Sequence, residues 1–121
     1  MGEYIDVLGM DDLQDGEMTG VKVDSHDFLV ARVEGRYFIA DGHCPHLHGN
    51  LTEGTLEGTV VTCPLHHSQF ELTDGSVVRW TDWSGAVLSV ANMVRHPRPL
   101  RVYEVEVADG MVRVGPQKES M

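Results

Sequence analysis

Cys44-Pro45-His46-Leu47-His48-Gly49 and Cys63-Pro64-Leu65-His66-His67 are the two stretches on which the reading of this chain turns. Each joins a thiol to an imidazole, as Cys-x-His in the first and Cys-x2-His in the second. Sixteen residues separate His46 from Cys63, and the chain has no third cysteine from which another sulfur site could be built. Two thiolates and two neutral imidazoles make a soft, four-ligand set of the kind that holds iron or zinc. Both stretches sit between strand-like segments. Tyr37–Asp41 leads into the first, which begins at Gly42, and the β-branched run Thr59–Thr62 leads into the second.

Outward from these loops the pattern stays β. Tyr4–Leu8 alternates as a strand and is followed by an acidic turn region around Asp11, Asp12, Asp15 and Glu17. Phe28–Val33 and Tyr37–Asp41 flank Glu34-Gly35-Arg36, a hairpin signal. Phe70–Leu72 leaves the second loop, Asp74-Gly75 turns, and Val77–Trp80 follows as a short strand. Leu100–Val107 alternates, turns at Asp109-Gly110 and returns through Met111–Val114, with Gln117–Met121 expected to fray. One segment departs from period two. Val87, Val90, Ala91 and Val94 recur at helical spacing, Ser84 can cap the start and Pro97 ends the run, so a short amphipathic helix is expected over 84–95.

The 121 residues suffice for one domain and a modest core, and thirteen glycines fit a turn-rich β chain. Nineteen acidic against nine basic residues give a net charge of −10, the wrong sign for a nucleic-acid footprint and the right one for a partner with a basic docking face. No run approaches the ~18 apolar residues of a membrane span, and the N-terminus lacks a charged-then-apolar signal pattern. Two cysteines in metal-type spacing with none left over fit a reducing cytoplasm better than a disulfide scaffold.

The two loops resemble those of the Rieske ferredoxin family, and the likeness runs from about Glu3 to Gly115. The resemblance implies an all-β, Rieske-like antiparallel sandwich of about three sheets, forming a single domain over 1–121. A cluster-binding subdomain of two loops would lie at about 42–80. It implies one Rieske-type [2Fe–2S] cluster, with Cys44 and Cys63 on the buried iron and His46 and His66 on the outer one. It further implies a carrier rather than an enzyme. Such a carrier takes single electrons from a flavin-containing, NAD(P)H-dependent reductase and passes them to a ring-hydroxylating dioxygenase or related oxygenase. A monomer is expected, because docking needs an open tip. The alternatives are a redox-responsive binding module and a zinc-stabilised one, which colour separates from a red-brown cluster protein. Pro97 and Pro99 resemble the family's proline-bearing third loop, with the segment before them an insertion.

Departures from the family pattern carry their own expectations. Respiratory members have an extra cysteine in each loop, joined by a disulfide; Gly49 and Leu65 stand at those positions. Ser68 matches a serine whose hydroxyl lies near the cluster, but Phe70 stands where a tyrosine would add another. With that hydrogen bond missing and the chain acidic, a redox titration is expected to give a potential toward the low end of the roughly −150 to +300 mV Rieske range. A value near the top would contradict this. His48 and His67 replace family glycines and create a second pair of imidazoles beside the loops. His43, directly before Cys44, is read as shaping the loop, and His26 and His96 are assigned no function. The double variant His48→Ala, His67→Ala is expected to keep the visible spectrum of the cluster; its loss would overturn the choice of His46 and His66.

Overall fold

Alternation along His26–Val33 and Arg36–Asp41 decides the architecture, because both strands are apolar on both faces. The structure is a computed structural model that describes residues 4–43, 50–64, 68–79 and 100–118. Within these lie β1 (Ile5–Gly9), β2 (Glu17–Val23), β3 (His26–Val33), β4 (Arg36–Asp41), β5 (Thr55–Glu57), β6 (Val60–Thr62), β7 (Gln69–Glu71), β8 (Val77–Arg79), β9 (Val102–Ala108) and β10 (Met111–Gln117). Short 3-10 turns follow β1 at Met10–Asp12 and precede β5 at Leu51–Glu53.

The strands form two antiparallel sheets, one ordered β1-β10-β9-β4-β3-β2 and the other β5-β6-β7-β8. Leu29 and Ala31 of β3, Phe38 and Ala40 of β4 and Val102 of β9 face the smaller sheet. There they meet Val61, Cys63, Phe70 and Leu72, together with Leu51 and Leu100. The intervening residues Phe28, Val30 and Ile39 point the other way, into a second core with Leu8, Leu13, Tyr103, Val112 and Val114. That second core is enclosed because the larger sheet curls until its edge strands β1 and β2 come into contact. Period-two side-chain alternation thus feeds two cores from one strand. Burying a side chain as large as the wholly enclosed Phe70 is worth roughly 1.5–3 kcal/mol.

The sequence reading anticipated most of these strands, with three differences. About three sheets were expected, whereas the described residues form two. The terminal strands β1 and β10 extend β9 as part of the larger sheet instead of building a sheet of their own. The strands β2 and β5 were not anticipated. Threonine, glycine and lysine dilute the first, and the second is only three residues long. Gln117 does not fray: after a register shift past Val114 it pairs with Tyr103, and the Lys118 N–H donates to the Val102 carbonyl at 2.8 Å. The helix expected at 84–95, Trp80 and residues 119–121 lie outside the described residues. Among the described residues no helix is long and apolar enough to cross a membrane.

Gly54 marks how closely the 3-10 turn packs on the strand that precedes the second loop. A Cβ built on it would lie 1.8 Å from the Thr62 carbonyl oxygen, one residue before Cys63. Backbone cannot yield as a flexible side chain can. Gly54→Ala is therefore expected to lower stability to denaturant by about 1–3 kcal/mol and to reduce iron bound per chain, read by chemical unfolding and iron assay. Unchanged values would show that the Thr62 backbone is free to move.

Candidate metal centre

Two loop roots, each closed by backbone hydrogen bonds, define the site. At the first, His43 and Asn50 form an isolated antiparallel bridge, and the Leu51 N–H donates to the Gly42 carbonyl at 2.9 Å. Residues 44–49 between them lie outside the described residues. Asn50 also caps the following 3-10 turn, its Oδ1 accepting from the Thr52 N–H at 3.1 Å and from the Thr52 hydroxyl at 2.6 Å. At the second root, the Cys63 N–H donates to the Ser68 carbonyl at 2.8 Å, closing a loop whose residues 65–67 are likewise outside the description.

The base of the site is apolar and buried. Cys63 is 1% exposed and carries a free thiol, and it shares the inter-sheet core with Leu51 of the other root. Ser68 is wholly buried, as is Phe70, which begins the path away from the loop. Of the four ligands expected from the sequence, the structure therefore places Cys63; Cys44, His46 and His66 lie outside the described residues, as do His48 and His67. What the described residues provide fits an iron–sulfur group: a buried thiol with no disulfide partner, at the closed mouth of one loop and packed with the base of another. Burial without a partner would leave such a thiol an inert core residue. Its place at a loop mouth instead offers it to a ligand bound between the loops.

The root of the first loop carries a polar network that the sequence reading missed. Asp41, the last residue of β4, accepts through Oδ1 from His26 Nε2–H at 2.8 Å and from the Tyr103 hydroxyl at 2.5 Å. Its N–H donates to the Arg101 carbonyl at 2.9 Å, while the Arg101 guanidinium stands 3.8 Å from Oδ2. His26 stacks on Phe28 at 4.2 Å between ring centres, and Tyr103 packs edge-on against both rings. Burial, reinforced by the Asp41 carboxylate, holds the Tyr103 hydroxyl protonated well above its ordinary range.

One residue along, the roles are exchanged. Asp27 of β3 accepts from His43 Nε2–H at 2.9 Å, and its carbonyl accepts from the Gly42 N–H at 2.9 Å. The hydrogen bond from His43 holds the Asp27 carboxyl below the usual carboxylate range. His43, expected to shape the loop, does so through Asp27, whereas His26 was assigned no function. The signal that could have placed His26 was the two-residue turn Asp24-Ser25, which puts it at the start of β3 opposite Val23.

Comparison with known proteins agrees with this geometry. Residues 3–104 match the model of the Rieske [2Fe-2S] domain. The ferredoxin component of the alkene monooxygenase system of Xanthobacter autotrophicus is 45% identical over 74 residues, 60% of this chain and 61% of that protein. The matched segment thus spans less than two thirds of that relative. Ferredoxin CarAc of Metapseudomonas resinovorans is 30% identical over 117 residues, 96% of each chain. Among solved structures, a chain in the complex of reduced oxygenase and oxidized ferredoxin in carbazole 1,9a-dioxygenase superposes with a TM-score of 0.76 at 28% identity, covering 97% of both chains. The chain belongs to the Rieske [2Fe–2S] domain family, and its cofactor is a Rieske-type [2Fe–2S] cluster.

Proposed function

We propose that this protein is a one-electron carrier that takes electrons from an NAD(P)H-dependent flavin reductase and delivers them to a ring-hydroxylating dioxygenase or related oxygenase. The observation that carries the reading is the buried, unbridged Cys63 thiol at the closed mouth of one loop, packed in the same core as the base of the other. Its support among relatives is the likeness, over nearly its whole length, to Ferredoxin CarAc. In this reading Cys44 and Cys63 are thiolate ligands and His46 and His66 imidazole ligands, in a cluster-binding subdomain at about 42–80 of a single domain. The bound cluster supplies a reversible one-electron couple, with histidine ligation raising its potential above that of all-cysteine clusters.

The chain's own residues then do three things. The apolar base around Cys63 keeps water from the inner side. Ser68 sits buried at the mouth of the second loop, and Phe70 fills the neighbouring core position without a hydroxyl. That pairing favours a potential at the low end of the family range. The acidic surface steers the protein toward basic faces on its partners at rates that fall with salt. A monomer working in a reducing cytoplasm completes the reading.

Electron paramagnetic resonance of the dithionite-reduced protein is expected to give a rhombic signal of low average g, and Cys63→Ser is expected to abolish both signal and colour. A colourless wild type with stoichiometric zinc would refute the carrier; a Cys63→Ser variant that kept the wild-type signal would refute the ligand set.

A further inference from the structure

The β2–β3 hairpin ends beside the root of the first loop. Three contacts fix it there: His26 to Asp41, the Gly42 N–H to the Asp27 carbonyl, and His43 to the Asp27 carboxylate. Between hairpin and root lies an open cleft of about 250 Å3, walled by Lys22, Asp27, Phe28, His43, Asn50 and Thr52. The tip itself, Asp24-Ser25, is exposed. Lys22 stands opposite Asp27 in the hairpin register, and its charge acts on that carboxylate. Asp24 is in a different position. Among the described residues no cation lies within ion-pair distance of it.

The larger sheet has two other hairpins with the same two-residue turn, and they supply an internal comparison. Backbone φ is 50° and 77° at Asp24-Ser25, 52° and 78° at Glu34-Gly35, and 55° and 77° at Asp109-Gly110. Both of the latter place glycine at the second position, where a left-handed backbone meets no Cβ penalty. They also lie at the far end of the sheet, since β4 starts beside Gly35 and ends at Asp41, and β9 starts opposite Ala40 and runs away from it. Only the turn at the loop-root end keeps side chains at both positions, an exposed carboxylate followed by an exposed hydroxyl.

We propose that Asp24, Ser25 and the cleft behind them form a docking surface for the basic face of the protein that accepts the electron. The proposal rests on the carrier reading above and names which part of the acidic surface does the docking. The occupant is a lysine- or arginine-bearing segment. The net charge of −10 draws it in, and Asp24 offers it an exposed carboxylate that pairs with no cation among the described residues.

Cytochrome c, a basic one-electron acceptor, is the probe. One electron leaves the reduced cluster and converts one ferric haem to ferrous, with no atom or proton transferred. Stopped-flow rates at low and high salt would be compared for wild type, Asp24→Lys and Glu34→Lys. The two variants change net charge equally and fall at matching turn positions with nearly equal φ. Asp24→Lys is expected to slow transfer about two- to five-fold at low salt, with the difference disappearing at high salt, while Glu34→Lys stays near wild type. Equal slowing by both would overturn the surface and leave general charge as the steering force. A wild type that reduces no haem would bring down the carrier reading and this surface with it. Asp24→Asn and Glu34→Gln repeat the comparison without introducing a lysine, should either reversal fail to fold. Ser25→Gly is expected to raise the unfolding midpoint yet slow transfer; unchanged transfer would remove Ser25 from the surface.

Discussion

The structure depends on β3 and β4 being buried on both faces. One face closes against the four-stranded sheet and fixes the bases of both loops in a shared apolar layer. The other face fills the curled sheet and ties the termini of the chain to the same strands. Because neither core can form without this pair, the position of the first loop, which leaves the end of β4, is set by the packing of the whole domain. A loop grafted on an edge strand would have no such support.

Polar groups then finish what packing begins. The ladder of the larger sheet ends at Asp41, and beyond it the backbone must find new partners or leave buried amides unpaired. The Gly42 N–H finds the Asp27 carbonyl, the Leu51 N–H finds the Gly42 carbonyl, and the Asp41 N–H finds Arg101. The side chains of His26 and Tyr103 pair with Asp41, and His43 with Asp27, across the same seam. Two histidine–aspartate contacts, with donor and acceptor exchanged between strands, hold the hairpin and the loop root as one body. A root tied in this way would suit the proposed electron transfer, which changes little but charge and gains from a frame that does not reorganise.

The charge of the molecule and its site play separate parts. A net charge of −10 sets the overall attraction to a basic partner and its salt dependence, while the placement of single carboxylates decides where that partner settles. Potential is set locally by ligand type, hydrogen bonds to the cluster and burial. Ser68 and Phe70, both fully enclosed at the second loop, belong to the local account; the exposed turn carboxylates act on approach and docking.

The expected ligand pattern was read from the order of residues alone, and of its four members the described residues include Cys63. Thiol and imidazole at short fixed spacing, repeated after a gap, are a local chemical pattern that survives without knowledge of the fold. The strong strands β3, β4, β9 and the hairpin turns with glycine were legible for the same reason, since period-two alternation and left-handed backbone are local demands. Three things were not legible. β2 was hidden because an edge strand with one buried face tolerates lysine, threonine and glycine, and its turn lacks the usual glycine. The joining of the termini into one curled sheet depends on strand order, which no local pattern encodes. The partnership of His26 with Asp41 and Tyr103 spans fifteen and seventy-seven residues of chain, so only tertiary structure could bring those groups within hydrogen-bonding range.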